Sequence, residues 1–139
     1  MTGIFLAKWL VDRQLIPASK LHIIYGSYVA GIFRTLRFGT GEAHGRAEMM
    51  EFNYLVEKGA LTQTADAKYA IDYAAMPAAI AALATQLLTF EAQGDRAGVE
   101  AWFAKYDAMP AEMTRALEST AEIPVDITPD FELAHGVRP

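Results

Sequence analysis

An all-α fold of about six helices, with a short β-hairpin and an extended C-terminal tail, is what the sequence predicts. Apolar residues recur at three- and four-residue spacing through most of the 139 positions. Glycines stand where those runs stop, and the helical period is lost only between Ala60 and Asp72 and again after Thr120. With 53% hydrophobic residues the chain has the size and content of one core, so a single helical domain over 1–139 is expected.

The first helix carries Ile4, Phe5, Trp9 and the charged Lys8 and Asp12, and it ends near Gln14, before Pro17 and Ser19 break the pattern. A second runs from Ala18 to Phe38. Leu21, Ile24, Tyr25, Tyr28, Val29, Ile32, Phe33 and Leu36 form its broad stripe, and Gly39 and Gly41 follow it. The third starts around Gly41 and reaches Lys58, with Met50, Tyr54 and Leu55 among its apolar positions, Gly59 as its stop and the carboxylate of Glu42 at its positive end.

Next, Leu61-Thr62-Gln63 and Tyr69-Ala70-Ile71 flank a polar turn at Thr64 to Lys68, which predicts the hairpin. Asp72 is placed to cap a fourth helix that tolerates Pro77 in its first turn and runs to about Gln93 before Gly94. The uncharged stretch from Tyr73 to Phe90 approaches the length of a membrane span, but Pro77, Thr85, Gln86, Thr89 and its many alanines predict a buried helix of a soluble bundle. Asp95 caps a fifth helix through Val99, Trp102, Phe103 and Tyr106, and a sixth begins at Pro110 with Met113 and Leu117. Beyond Thr120, Pro124 and Pro129 each remove a donor and push the preceding residue to extended geometry, so the tail is expected as a strap.

Charge narrows the function. A net charge of −5 and a pI near 5.1 argue against nucleic acid or an anionic membrane as partner, since both need a positive surface. There is no cysteine, hence no disulfide, thiolate nucleophile or sulfur ligand, and catalysis would rest on His, carboxylates, hydroxyls or Arg. Lys8, Asp12 and Arg13 interrupt the apolar start and no small-residue cleavage site follows, so a cytoplasmic protein is expected.

The densest polar constellation is Phe33-Arg34-Thr35-Leu36-Arg37-Phe38-Gly39-Thr40-Gly41-Glu42-Ala43-His44-Gly45-Arg46-Ala47-Glu48. His44, Glu48 and Glu51 share one face of the third helix and can in principle offer one nitrogen and two carboxylates to a metal. The alternative is that Glu48 and Glu51 pair with Arg34, Arg37 or Arg46 while His44 is an ordinary helix histidine. Arg34 and Arg37 also suit the last turn of the second helix without any ligand. His22 reads as a core or interface histidine and His135 as a solvated tail residue. No zinc-protease, P-loop, nucleophile-elbow or dinucleotide motif is present.

The run from Phe33 to Gly39, then Glu42-Ala43-His44-Gly45 and Glu51-Phe52-Asn53-Tyr54-Leu55-Val56-Glu57-Lys58-Gly59-Ala60, resembles the C-terminal part of dipeptidyl-peptidase III-like zinc hydrolases. It is most like their bacterial and plant branch, whose members are sometimes named Nudix proteins. Leu87-Leu88-Thr89-Phe90-Glu91-Ala92-Gln93-Gly94-Asp95 and Ile123-Pro124-Val125-Asp126-Ile127 match that branch too, so the resemblance covers nearly the whole chain. It implies a zinc held by two motifs that are absent here and would lie upstream in a full-length relative; in this chain no cofactor is expected. It also implies that His44 stabilises the oxyanion of a tetrahedral intermediate; Arg34, Arg37, Glu42, Arg46 and Glu48 of the constellation around it are expected to bind substrate. Better-known dipeptidyl peptidases tend to carry Arg one turn after that histidine, whereas Glu48 stands here; a Nudix box is missing as well.

Two classes of function follow. The chain is the C-terminal helical portion of such a hydrolase, inactive alone and acting on a peptide or small molecule only with an upstream zinc-binding domain, or it is a free-standing, non-catalytic interaction module. Ile4, Phe5, Trp9, Leu10, Ile23, Ile24, Tyr25, Tyr28 and Phe33 on the first two helices exceed what a terminal helical pair covers, so a homo-oligomer is expected.

Overall fold

The computed structural model describes residues 2–66 and 68–124. Six helices and one hairpin follow in order among these residues: α1 (Thr2–Asp12), α2 (Leu21–Leu36), α3 (Ala43–Glu57), β1 (Leu61–Gln63), β2 (Tyr69–Ile71), α4 (Met76–Gln93), α5 (Arg96–Tyr106) and α6 (Ala111–Glu118). The all-α reading with its hairpin is therefore correct. Residues 125–139 of the expected strap, with His135, lie outside the described residues.

Differences from the expected boundaries have local causes. The second helix opens as a single tight turn over Ala18–Lys20 behind Pro17 before α2 proper begins at Leu21. Glu42 is extended, with φ −112° and ψ 161°, which delays α3 to Ala43. Asp72 does cap, but one turn early: its Oδ1 accepts from the backbone N–H of Ala74 and Ala75 at 2.9 and 3.0 Å, leading into α4 at Met76 with Pro77 in the first turn. Asp95 caps α5 by accepting from Gly98 N at 2.9 Å.

The α2 stripe becomes the spine of the main core. Tyr25, Val29, Ile32 and Leu36 are buried at four- and three-residue steps and meet Met49, Phe52 and Leu55 of α3, with Leu61, Met76, Ile80 and Met113 closing the cluster. Phe33, Phe52 and Tyr69 make edge contacts that seat the hairpin on this core, with ring centroids 4.9 to 5.9 Å apart. A second face of α3, through Met50 and Tyr54, packs with Leu83, Tyr106 and Trp102. α3 thus serves two cores. The uncharged α4 buries one side, Met76, Ala79, Ile80 and Leu83, while Ala82, Thr85 and Leu88 lie on the more open side, so it is amphipathic rather than buried all round. No described helix is long and apolar enough to cross a membrane.

Of the two places read for His22, the core is not where it lies: it is exposed and stacks on Tyr73, with ring centroids 4.2 Å apart and planes at 19°. Of the apolar residues on α1 and α2, Ile4 and Tyr25 are buried, whereas Phe5, Leu6, Trp9, Leu15 and Ile23 are exposed.

Helix ends are closed by backbone, and two of them compare directly. After α4, Gly94 takes the left-handed conformation (φ 61°) and Asp95 N bonds back to Phe90 O at 3.1 Å. α1 closes the same way, with Leu15 N on Leu10 O and Gln14 N on Val11 O, both at 2.9 Å, yet the left-handed residue there is Gln14 at φ 60°. A side chain in that region costs roughly 1 kcal/mol. Gln14 is exposed, so Gln14→Gly removes that cost and leaves the core packing untouched. We expect a gain of up to about 1 kcal/mol in urea unfolding; an unchanged or lowered midpoint would contradict it.

Candidate functional site

Arg37 to Glu42 form the corner between α2 and α3, and the corner lies directly on the first turn of α3. A Cβ on Gly45 would stand 2.0 Å from Gly39 O and 3.2 Å from the Thr40 Cα, so backbone meets backbone there and only glycine fits. His44 precedes this contact and is exposed. With Thr35, Phe38, Gly39, Gly41, Glu42 and Gly45 it lines a depression of about 410 Å³. Glu42 makes no side-chain cap to α3, so its carboxylate is left on the depression.

Below His44 runs the acidic face of α3. Tyr28 of α2 donates to Glu51 Oε2 at 2.5 Å, and burial together with the Glu51 and Glu48 charges pushes the phenol pKa up, which keeps it a donor. Glu48 is half-buried, and its Oε2 is buried with no hydrogen-bond partner among the described residues. Burial and the neighbouring Glu51 charge raise its pKa, while His44 opposes them. Among the described residues no group of three His, Cys, Asp or Glu could hold a metal. The row of His44, Glu48 and Glu51 spans seven residue steps, about 10 Å along the helix, and Tyr28 already occupies one oxygen of Glu51.

Arg46 and Arg37 reach partners outside the acidic row. Arg46 bonds the Asp107 carboxylate at the end of α5, through Nε at 3.0 Å and also through Nη2, and lies 5.9 Å from the Phe103 ring centroid. Asp107 is held below its ordinary pKa by that contact. Arg37 donates to the backbone carbonyls of Ile123 and, at 3.4 Å, Pro124. Arg34 stands in the last turn of α2. Of the residues assigned to substrate, Glu42 shares the depression with the catalytic candidate His44, while Arg37 and Arg46 hold chain segments in place.

Sequence reasoning passed over Gly45, Tyr28 and Asn53. Asn53 Nδ2 donates to Tyr106 O at 2.8 Å and Ala108 O at 2.7 Å, fastening α3 to the end of α5. An His-Gly pair inside a helix was the available signal for Gly45, because glycine there costs about 1 kcal/mol unless something comes close. Nothing local announces Tyr28 or Asn53, whose partners lie 23, 53 and 55 residues away.

No protein-family model matches the chain. It is 34% identical over 139 residues to Nudix hydrolase 3 of Arabidopsis thaliana, covering 99% of this chain and 18% of that protein. Among solved structures it superposes on DPP III from Caldithrix abyssi with a TM-score of 0.89 and 30% identity, over 96% of this chain and 26% of that one. The chain is a dipeptidyl-peptidase III-like segment. Dipeptidyl-peptidase III from Corallococcus sp. strain EGB agrees, with a TM-score of 0.86 and 30% identity over 96% of this chain and 25% of that one. The chain thus spans about a quarter or less of the relatives it matches.

Two expectations follow for this dipeptidyl-peptidase III-like segment. Gly45→Ala forces the corner off α3 and should cost roughly 1–3 kcal/mol or more, whereas Gly41→Ala, with nothing within 4 Å of its added Cβ, should be tolerated; equal melting temperatures for the two would contradict the close contact. Glu48 carries a sign that can be checked. Because its folded pKa lies above the ordinary value of 4.5, it favours the fold most below that value and withdraws that support as pH rises through the folded one. Urea unfolding from pH 4 to 7 should therefore show Glu48→Gln gaining on the wild type toward neutrality, and parallel pH profiles would disprove this.

Proposed function

We propose that this chain is the helical portion of a dipeptidyl-peptidase III-like hydrolase and that His44 is its contribution to catalysis. The single observation that supports this is the placement of His44: exposed, on the lip of a depression, one residue from a backbone contact that fixes its position. An imidazole N–H held there can donate to the oxygen of a substrate carbonyl as negative charge develops on it. Glu48, one turn on, faces His44 with a charge that offsets the unfavourable positive end of α3. Arg34, Glu42 and Glu48 then border the substrate, and Arg37 and Arg46 keep that border rigid. The substrate is a peptide or small molecule met in the complete protein.

Among the described residues no group of three His, Cys, Asp or Glu could hold a metal, and in this reading the zinc of the complete protein is held by other residues. The isolated chain is inactive in this reading. Metal analysis after dialysis should find no stoichiometric zinc, and one tightly held ion per chain with chelator-sensitive hydrolysis would overturn it.

His44→Ala should leave the melting temperature of the isolated chain nearly unchanged and lower turnover by about two to three orders of magnitude in an intact protein carrying this segment. A destabilised variant with full activity would make His44 a packing residue. A second reading, a module that associates with itself, is favoured by the exposed Leu6, Leu15 and Ile23 on and between α1 and α2. A monomer by light scattering at high concentration counts against it.

A further inference from the structure

Phe38 is 64% exposed, more open to solvent than Phe5, Trp9 or Phe103. A lone exposed ring is ordinary on a protein surface. This one differs in being held in a fixed place. Its backbone N–H donates to Thr35 O at 3.0 Å, and the next residue, Gly39, takes the left-handed conformation (φ 88°) with its own N–H on Leu36 O at 2.9 Å. On the preceding side Arg37 reaches the carbonyls of Ile123 and Pro124, and on the following side Gly39 O is seated against Gly45. Phe38 and His44 therefore stand on one rigid corner.

Both residues line the same depression of about 410 Å³. Gly39, Gly41 and Gly45 line it too and add no side chain, so the phenyl ring is its one large apolar group among the described residues. The Glu42 carboxylate and the Thr35 hydroxyl supply the remaining polar side chains beside His44. A wet ring beside open space gains when an apolar group covers it, and a carboxylate repels a second one brought close. The depression thus distinguishes apolar from acidic occupants.

We propose that Phe38 is the specificity-determining residue of the His44 site, selecting an apolar side chain on the substrate residue whose carbonyl His44 polarises. This rests on the reading of His44 given above. That side chain leaves the Cα bonded directly to the carbonyl carbon, so a peptide that brings its carbonyl oxygen to His44 lays the side chain in the depression they share. Phenylalanine at that residue covers the ring of Phe38, alanine leaves it wet, and glutamate meets Glu42.

The test uses an intact protein carrying this segment and chromogenic dipeptidyl anilides, alanyl-phenylalanyl, alanyl-alanyl and alanyl-glutamyl, which differ only at the residue bearing the scissile carbonyl. In kcat/KM the phenylalanyl substrate should exceed the alanyl one by about tenfold, with the glutamyl one poorest. Phe38→Ala, at an exposed position, should keep the melting temperature and bring the phenylalanyl-to-alanyl ratio close to one, and Phe38→Leu should recover most of it. His44→Ala should lower all the rates by one factor and keep the ratio. The proposal alone is overturned if His44→Ala behaves so but the unaltered protein shows no preference for phenylalanyl, or if Phe38→Ala leaves the ratio as it was or lowers all the rates alike. Full turnover in His44→Ala, or no cleavage of any of these substrates by the unaltered protein, overturns the reading of His44 and this proposal with it.

Discussion

Everything in this domain turns on the double burial of α3. One helix must satisfy the main core with Met49, Phe52 and Leu55 and a second core with Met50 and Tyr54. A helix with apolar residues on two sides has only narrow strips left for polar groups. One of them is where His44, Glu48 and Glu51 stand. Its rotation is set by the two cores and not by the polar residues themselves, so the direction of His44 is a by-product of apolar packing at Met49 and Met50.

Polar contacts then hold the position that burial has chosen. Asn53 reaches two carbonyls at the end of α5, Arg46 reaches Asp107 between them, and Lys105 reaches Glu57 near the end of α3. The two charged pairs are exposed enough that each is worth little alone. They tie three successive levels of α3 to one neighbour, and their geometric effect exceeds their energy. Tyr28 and Glu51 do the same toward α2 from a less exposed position.

The helices were legible because their signal is local. Period, caps and stops gave the α2 stripe, the Asp95 cap and the Gly94 stop without any knowledge of neighbours. The hairpin register, Leu61 opposite Ile71 and Gln63 opposite Tyr69, also follows from a short turn between two apolar-ended runs. Pairings across space were not legible. The constellation around His44 suggested that its arginines and glutamates meet one another, but a count of charges carries no direction. In the fold Arg46 turns to Asp107 and Arg37 to the carbonyls of Ile123 and Pro124, partners that no spacing in the sequence announces. Even the family resemblance, which named His44, could not say that its neighbour Gly45 bears the corner's weight.

That contact between Gly45 and the Gly39 carbonyl also limits how the segment can drift over time. Surface connections between helices usually tolerate gained or lost residues, since their ends can be rejoined in many ways. The corner from Arg37 to Glu42 has no such slack, because one of its own oxygens is seated against the helix it leads into. A single-residue insertion there would move the oxygen off its seat and carry His44 with it. Length variation among natural versions of this segment belongs in places such as the polar hairpin turn, and the six residues of the corner should keep their number even where their identities change.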